Sequence, residues 1–341
     1  MDTVLNITQV PVTVVIPAYN AEEFIEEALQ SVRAQSAQPR EVIVVDDGST
    51  DRTATIAESC GVKVIRQSNL GLSAARNAAI RVASQDWIAL LDADDIWEPD
   101  KLASQWAAVL TCPESKLVFT DFSEFSADGP LRRSFFSSLG HYQKVQWIEV
   151  APGIKECQRE SLQIQFNNGN FIIPSTVLVQ RNLLLEVGMF DEDFRHLEDR
   201  ELWLRLLAVT KVAVIERPLM RARVHNNNLS SNGLKVAFGI VMVADKVLSN
   251  PEKYSINAVE YYRKERPNMY LNAGRYAEQH GEIRKARDCY IRAWRFRGGV
   301  RPLVLAILSC FPLPIRSLVR ASLRQFIGAR LSENPARRRA A

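Results

Sequence analysis

Segments rich in β-branched and other apolar residues alternate with helix-period segments along the first hundred residues. Most of the apolar segments lack regular polar alternation, which is typical of strands buried on both faces of a sheet. They predict strands at 12–17, 41–45, 62–66 and 87–91. The intervening segments place apolar side chains on one helix face and predict helices at 22–34, 52–60 and 72–82. This order predicts an α/β fold in which βαβ units form a Rossmann-like, mostly parallel sheet.

The middle of the chain continues this pattern around an irregular insertion. Further elements are predicted as strands at 115–119, 175–179 and 211–215 and as helices at 181–186 and 198–209. Residues 123–170 are rich in Ser, Gln, Gly and Pro and predict a loop-rich insertion. A long insertion in a compact domain usually has a purpose, so we expect this one to form a binding wall.

The last third is predicted to be helical, at 234–249, 258–280 and 281–296. Within 269–294, small residues alternate with Tyr and Trp in a pattern that resembles one tetratricopeptide unit. Since one unit cannot bury its own face, this pair either packs on the main domain or acts as a protein-binding module. The predicted domains are an α/β domain at 10–232, a helical extension at 233–331 and a disordered basic tail at 332–341.

Composition and charge exclude several classes of protein. The chain has 341 residues, 47% of them apolar, and a formal net charge of +4. That charge and the lack of a recognised motif argue against nucleic-acid binding. The five cysteines are scattered without CxxC pairs, which argues against a disulfide framework or a zinc site and favours a reducing compartment. Neither a secretion signal nor ~18 uninterrupted apolar residues are present, so we expect a cytoplasmic location.

Residues 300–331 combine apolar side chains with arginines. Arg316, Arg320 and Arg324 are spaced by four and share one helix face. Such a helix can lie in a membrane interface with its cations toward anionic head groups. It can equally be a core-packing helix with a solvated basic face. The sequence is therefore compatible both with a peripheral contact with a membrane and with packing of this helix on the core.

An acidic cluster ends the strand at 87–91. Asp92 and Asp94 are two residues apart, so in an extended chain their side chains point the same way, roughly 7 Å apart. With Asp95 they fall at the carboxyl end of a strand, where open α/β sheets bind ligands. Clustered carboxylates repel each other unless a cation lies between them, and Mg²⁺ or Mn²⁺ prefers oxygen ligands. The cluster predicts a metal site that holds a diphosphate, although a helix-capping turn would look similar.

Other strand ends carry candidate binding residues. After the first strand, Tyr19 offers an aromatic face for a flat base, and after the second, Asp47 can accept a hydrogen bond from a uracil-like imide. Both segments could instead be helix starts. Arg76 lies near a helix N-terminus, where its charge opposes the helix dipole. We therefore expect Arg76 to meet acidic groups or a phosphate.

Five segments in this order resemble the family 2 glycosyltransferases. They cover 14–20, 44–51, 69–77, 91–95, and 187–192 together with 198–205. The resemblance extends over about residues 10–230 and implies the GT-A fold, a nucleotide-sugar donor and inversion at the anomeric carbon. No multi-helix membrane domain follows, so we expect a hexosyltransferase-type enzyme that adds one sugar rather than a processive synthase.

The resemblance also implies roles for individual residues. Donor-binding positions would be Pro17, Ala18, Tyr19, Asp47, Arg76, Asp92 and Arg223. Asp94 would be the main ligand of Mn²⁺ or Mg²⁺, with Asp92 and His225 as further candidates, although a lone His is more often structural. Asp199 would be the general base that takes the acceptor's proton, and Glu198 would bind the acceptor or orient the site. The polar run at 226–232 would be a flap that orders over the donor.

These expectations lead to one leading function and several alternatives. The leading function is transfer of a sugar, UDP-linked in our expectation, to a glycan or lipid-linked acceptor in surface polysaccharide or O-antigen assembly. A nicotinamide dehydrogenase needs a GxGxxG turn after the first strand, and residues 17–20 contradict it. A nucleotidyltransferase shares the fold class. A non-catalytic scaffold that binds proteins through its helical part would be expected to lose acidic positions that this chain retains.

Overall fold

The computed structural model describes residues 8–157, 159–225, 232–297 and 299–311. The strands are β1 Gln9–Ala18, β2 Gln38–Asp46, β3 Lys63–Arg66, β4 Trp87–Leu90, β5 Ile96–Trp97, β6 Ser115–Ser126, β7 Gly129–Arg132, β8 Trp147–Ala151, β9 Ile154–Cys157, β10 Leu178–Gln180 and β11 Lys211–Arg223. The helices are α1 Ile25–Arg33, α2 Thr53–Ser59, α3 Leu72–Val82, α4 Lys101–Thr111, α5 Arg159–Asn168, α6 Arg181–Val187, α7 Glu198–Val209, α8 Gly233–Ser249, α9 Ile256–Gln279, α10 Ile283–Arg297 and α11 Val300–Leu308.

The strands form one mixed sheet in the order β3-β2-β1-β4-β10-β6-β11-β9-β8, with β5 beside β11 and β7 beside β6. The pairs β2–β3, β1–β2, β1–β4 and β6–β11 are parallel. β10 runs antiparallel between β4 and β6. The prediction of an α/β fold with a mostly parallel central sheet is confirmed.

Parallel pairing brings several strand ends to one edge of the sheet. Ala18 at the end of β1 pairs with Asp46 at the end of β2, and Val15 pairs with Leu90 at the end of β4. All four residues of β4 are buried, as expected for a strand covered on both faces. The segments that follow β1, β2 and β4 therefore emerge side by side.

The expectation that residues 123–170 form a loop-rich insertion is wrong. β6 continues to Ser126 and turns into β7, β8 and β9 form a hairpin that extends the sheet beyond β11, and α5 follows. Most residues of β8 are partly or fully exposed, so its sequence lacks the apolar signal of a buried strand. The strand expected at 175–179 is also displaced, because Pro174–Thr176 form a 3₁₀ turn before β10.

The chain divides into two compact units. Of the described residues, the first contains those within 1–232 and 242–263, and the second those within 233–241 and 264–341. The sequence had assigned residues 233–331 to the helical extension. In the structure, Tyr254 Oη donates to Glu201 of α7 over 2.5 Å, so this stretch supports the first unit.

The second unit contains the segment with tetratricopeptide-like spacing. In its core, Tyr270, Ala273, Ala277, Tyr290 and Ala293 are buried. Gly274 of α9 lies so close to Tyr290 that a Cβ atom there would come within 2.5 Å of the ring. The small residues thus allow α9 and α10 to approach closely.

Three predicted segments fall wholly or partly outside the residues that the structure describes. These are residues 226–231 of the flap predicted at 226–232, the arginine face at 316–324 and the basic tail at 332–341. Across the ranges that are described, no helix is long and apolar enough to cross a membrane.

Candidate active site

The candidate site begins where β1 and β2 end. The backbone N–H of Asp47 donates to the carbonyl of Ala18 over 2.8 Å, which joins the two strand ends. Pro17 and Ala18 are buried, so they can offer only backbone atoms to a ligand, whereas Tyr19 is 50% exposed. The exposed ring is the position at which the sequence predicts a base-stacking surface.

Asp47 holds the loop that leads into α3. Its carboxylate accepts hydrogen bonds from Gln67 Nε2 at 2.7 Å, from the Leu70 N–H at 2.9 Å and from the Gly71 N–H at 2.8 Å. Gly71 has φ +99°, a conformation that favours glycine. Asp47 is therefore a structural anchor in this structure, and its contact with a base stays a prediction.

Arg76 of α3 joins two acidic residues from distant parts of the chain. Its Nη2 lies 2.6 Å from Asp92 Oδ1, and its Nη1 lies 2.8 Å from Glu198 Oε1. The side chain is 1% exposed and stacks over Phe190. Burial by itself lowers the pKa of this guanidinium, but the charges of Asp92 and Glu198 outweigh burial and raise it. The sequence predicts that Arg76 meets acidic groups or a phosphate, and in the structure it meets acidic groups.

The acidic cluster after β4 is organised by a serine from another part of the sheet. Ser175 Oγ donates to Asp95 Oδ2 at 2.6 Å and accepts the N–H of Asp92 at 2.9 Å. Asp95 also accepts the N–H of Arg223 at 3.1 Å. Sequence reasoning missed Ser175, because no local pattern marks a residue whose partners lie some 80 positions away.

Asp94 pairs with His225. The distance from Asp94 Oδ2 to His225 Nε2 is 3.0 Å, and Phe24 stacks on the imidazole with ring centroids 5.1 Å apart. Burial and the charge of Asp92 raise the pKa of Asp94, while the contact with His225 opposes the rise. Burial and the two neighbouring carboxylates likewise raise the pKa of Asp95 well above its usual value. Crowded carboxylates of this kind favour a bound cation.

The donor atoms fit a divalent metal that is shared with a ligand. Among the residues that the structure describes, no group of three or more His, Cys, Asp or Glu is arranged as a ligand set. Asp94 and His225 would supply one oxygen and one nitrogen, which suits Mn²⁺ as well as Mg²⁺. The remaining coordination positions would be available to phosphate oxygens and water.

Arg223 lies beside this pair at the end of β11. Its Nε donates to the carbonyl of Asp94 over 3.0 Å, and it forms a short ion pair with Glu27. Its guanidinium also lies over the rings of Phe24 and Phe125. These contacts fix the chain immediately before the undescribed segment 226–231.

Asp199 lies in the first turn of α7, next to Glu198. Asn170 Nδ2 donates to its Oδ2 at 3.0 Å, and the N–H of Arg200 donates to its Oδ1 at 2.7 Å. Burial and the charge of Glu198 raise the pKa of Asp199 to about 7, against the hydrogen bonds and the charge of Arg76. A carboxylate with such a pKa can take up a proton near neutral pH. Asn170 was also missed, because it lies within the segment that the sequence predicts as a loop.

Several of the predicted site residues are thus linked into one network. Asp47 anchors the loop that begins α3, Arg76 of α3 contacts both Asp92 and Glu198, and Asp199 follows Glu198 directly. Asp92 after β4 and Glu198 of α7 are therefore neighbours at the carboxyl edge of the sheet, on either side of Arg76. Tyr19 follows the end of β1 at the same edge.

Several known proteins resemble this chain in sequence. The model of the family described as Glycosyl transferase family 2 matches residues 13–173. The putative teichuronic acid biosynthesis glycosyltransferase TuaG of Bacillus subtilis is 32% identical over 236 residues, which cover 66% of this chain and 84% of TuaG. The amylovoran biosynthesis glycosyltransferase AmsB of Erwinia amylovora is 30% identical over 217 residues, which cover 61% of this chain and 67% of AmsB.

Solved structures show the same fold at low sequence identity. Residues 1–349 of S. aureus TarS, in complex with UDP-GlcNAc, align with a TM-score of 0.59 and 18% identity over 92% of this chain and 91% of that one. The mannosyltransferase PcManGT of Pyrobaculum calidifontis, in complex with GDP-Man and Mn²⁺, aligns with a TM-score of 0.55 and 19% identity. That alignment covers 90% of this chain and 82% of PcManGT. The first unit therefore has the GT-A fold.

Proposed function

Because the chain belongs to glycosyltransferase family 2, we propose that it transfers one sugar from a nucleotide-sugar donor, UDP-linked, to a glycan or lipid-linked acceptor with inversion. Two relatives are named for polysaccharide biosynthesis, which supports a role in surface polysaccharide or O-antigen assembly. A structural neighbour bound to UDP-GlcNAc supports a UDP-linked donor. No observation favours the non-catalytic scaffold, since the acidic residues are present and grouped.

The observation that carries the proposal is the double contact of Arg76. Asp92 and Glu198 both contact this one buried guanidinium. In this proposal, Asp92 lies on the donor side of the site and Glu198 on the acceptor side. An enzyme that joins two substrates needs both binding sides held at a fixed separation. This arrangement provides such a separation.

On the donor side, we assign the base and ribose to the segment Pro17–Tyr19 and to Asp47. Arg223 would bind the diphosphate, while Asp94 and His225 would hold Mn²⁺ or Mg²⁺, with Asp92 oriented by Arg76 toward the ribose or a coordinated water. A divalent cation bound there would neutralise the negative charge that develops on the departing nucleoside diphosphate.

On the acceptor side, Asp199 is the proposed general base. Its carboxylate takes the proton of the acceptor hydroxyl as that oxygen attacks the anomeric carbon. The new carbon–oxygen bond forms on the face opposite to the breaking bond to the nucleoside diphosphate, which inverts the configuration in one displacement. Asn170 orients the carboxylate of Asp199, and Glu198, held by Arg76, orients the acceptor.

We further propose that the protein works in the cytoplasm, with a peripheral contact at the inner face of the membrane where a lipid-linked acceptor would lie. This proposal draws on the basic, partly apolar C-terminal sequence.

A donor screen tests the proposed function. The full chain is incubated with UDP-, GDP- and dTDP-sugars in Mn²⁺, in Mg²⁺ or in EDTA, and release of nucleoside diphosphate is measured. We expect metal-dependent release from at least one UDP-sugar. The proposal is rejected if none of the donors binds or turns over in either metal.

A further inference from the structure

The last described helix, α11, presents an apolar stripe to solvent. Val300 is 76% exposed, Leu303 37% and Ile307 52%, and Phe311, in the turn that follows, is 44% exposed. At ~100° per residue, the three helical positions fall within an arc of about 60°. The stripe is therefore one continuous surface rather than a set of scattered apolar residues.

The stripe is not the face by which α11 packs on its neighbour. Ala306 and Leu308 are buried within the second unit. Arg287 of α10 donates to both the hydroxyl and the carbonyl of Ser309, over 3.3 Å and 3.2 Å. These contacts fix the rotation of α11 about its axis and turn the apolar stripe outward. Contiguous apolar surface of this kind usually marks an interaction site.

The sequence that leads into the stripe is rich in cations. Residues 281–311 contain seven Lys and Arg against two Asp and Glu. Arg301 is exposed and follows Val300 directly, and Arg295 is exposed on α10. An apolar stripe on a cation-rich part of the chain matches the two layers of an anionic membrane surface, the acyl boundary and the charged head groups.

We infer that Val300, Leu303, Ile307 and Phe311 insert into the head-group layer of an anionic membrane, with Arg295 and Arg301 on its phosphates. This inference deepens the membrane contact in the proposed function, but it does not depend on the transfer chemistry. A nine-residue helix is about 13 Å long and cannot span a bilayer, so the contact is interfacial.

Co-sedimentation with vesicles tests the inference on the full chain. We expect binding to vesicles of phosphatidylcholine with phosphatidylglycerol and much weaker binding to phosphatidylcholine alone. Ile307→Glu should lower the vesicle partition coefficient roughly tenfold or more, because it places a charge in the apolar layer. Leu131→Glu is the matched control, since Leu131 is 58% exposed on β7 in the first unit, and should leave binding unchanged. The double change Arg295→Gln and Arg301→Gln should weaken binding to the anionic vesicles and reduce its salt dependence.

Three results would overturn the inference. In the first, Ile307→Glu sediments with anionic vesicles as well as the unchanged chain does. In the second, the chain ignores vesicles but is a dimer by light scattering that Ile307→Glu dissociates, which would make the stripe a contact between copies. In the third, the chain again ignores vesicles, and Ile307→Glu lowers the melting temperature far more than Leu131→Glu, which would mean that residues 312–341 cover the stripe.

Failure of the transfer chemistry would look different. Release of nucleoside diphosphate from a soluble donor should be equal in the unchanged chain and in Ile307→Glu, because the stripe is not part of the candidate active site. Loss of release in both proteins, with vesicle binding intact, would count against the proposed function alone.

Discussion

Arg76 and Glu198 are 122 residues apart in sequence and form a buried ion pair of 2.8 Å between α3 and α7. The same guanidinium contacts Asp92 at 2.6 Å. Arginine suits this position because its planar head can donate to two carboxylates in fixed directions. The pairing gives α7, with Asp199 in its first turn, a defined position relative to the acidic cluster.

Replacing Arg76 by Lys should damage both stability and turnover. Lysine keeps the charge but cannot reach Asp92 and Glu198 together, which leaves a buried carboxylate poorly compensated. We expect the free energy of unfolding in urea to fall by about 3 kcal/mol and kcat to fall more than donor KM rises. Arg81→Lys is the matched control on the same helix, because its pair with Glu192 is exposed, and it should change the free energy by less than ~0.5 kcal/mol. Equal effects of the two changes would contradict the bridging role.

Asp199→Asn should strongly reduce transfer while sparing donor binding. General-base catalysis contributes roughly 10²- to 10⁴-fold, so we expect kcat to fall within that range while the Kd for donor changes little. Asp193→Asn serves as the control, since Asp193 is an exposed acid just before α7. Normal turnover by the Asp199 variant would assign the base to another residue.

The pH dependence of the unchanged enzyme should carry the signature of the same carboxylate. Burial and Glu198 raise the pKa of Asp199 to about 7, so the group is protonated and inactive as a base below that pH. We expect kcat/KM to rise as pH increases through about 7 and then to level off. The residual activity of Asp199→Asn should lack this rise. A profile that falls across the same interval would contradict the assignment.

Asp94→Ala should remove the metal-dependent part of donor binding. The change deletes the carboxylate that contacts His225, and with it the oxygen donor of the proposed cation site. Calorimetry with the nucleotide sugar in Mn²⁺ and in EDTA should show a difference for the unchanged chain and none for the variant. Asp128→Ala, at the exposed turn between β6 and β7, should bind like the unchanged chain. A metal response that persists in Asp94→Ala would place the cation elsewhere.

Lys101→Met should stabilise the protein at neutral pH. Lys101 is fully buried, and no carboxylate among the described residues pairs with it. Its Nζ donates to Gln105 Oε1 at 2.8 Å and lies 3.9 Å over the Trp97 ring. Burial lowers the pKa of Lys101 well below its usual value. Between that lowered pKa and the unfolded-chain value of about 10.4, the unfolded chain binds more protons than the folded protein. The free energy of unfolding therefore rises with pH over this interval. Methionine of similar volume should raise the free energy of unfolding by on the order of 1 kcal/mol near pH 7 and flatten that rise. A lower stability of the variant in urea at pH 7 would refute this interpretation of the buried lysine.

Local patterns predicted the elements that bury a regular face. The predicted helices at 72–82 and 198–209 coincide with α3 and α7, because both carry apolar residues at helical spacing. The pattern failed for β8 and β9, whose half-exposed residues gain their structure from pairing with each other and with β11. Pairing between distant segments leaves no local trace in a sequence.

The sequence by itself determined the α/β class, the edge of the sheet at which the acidic residues collect, and the resemblance that named Asp94 and Asp199. It did so because strand ends and acidic motifs are local features. Only the tertiary structure decided that Arg76 contacts Asp92 and Glu198, that Ser175 and Asn170 orient Asp95 and Asp199, and that the stripe of α11 faces outward. These relationships depend on packing between segments that lie far apart in the chain, and packing is a property of the folded whole.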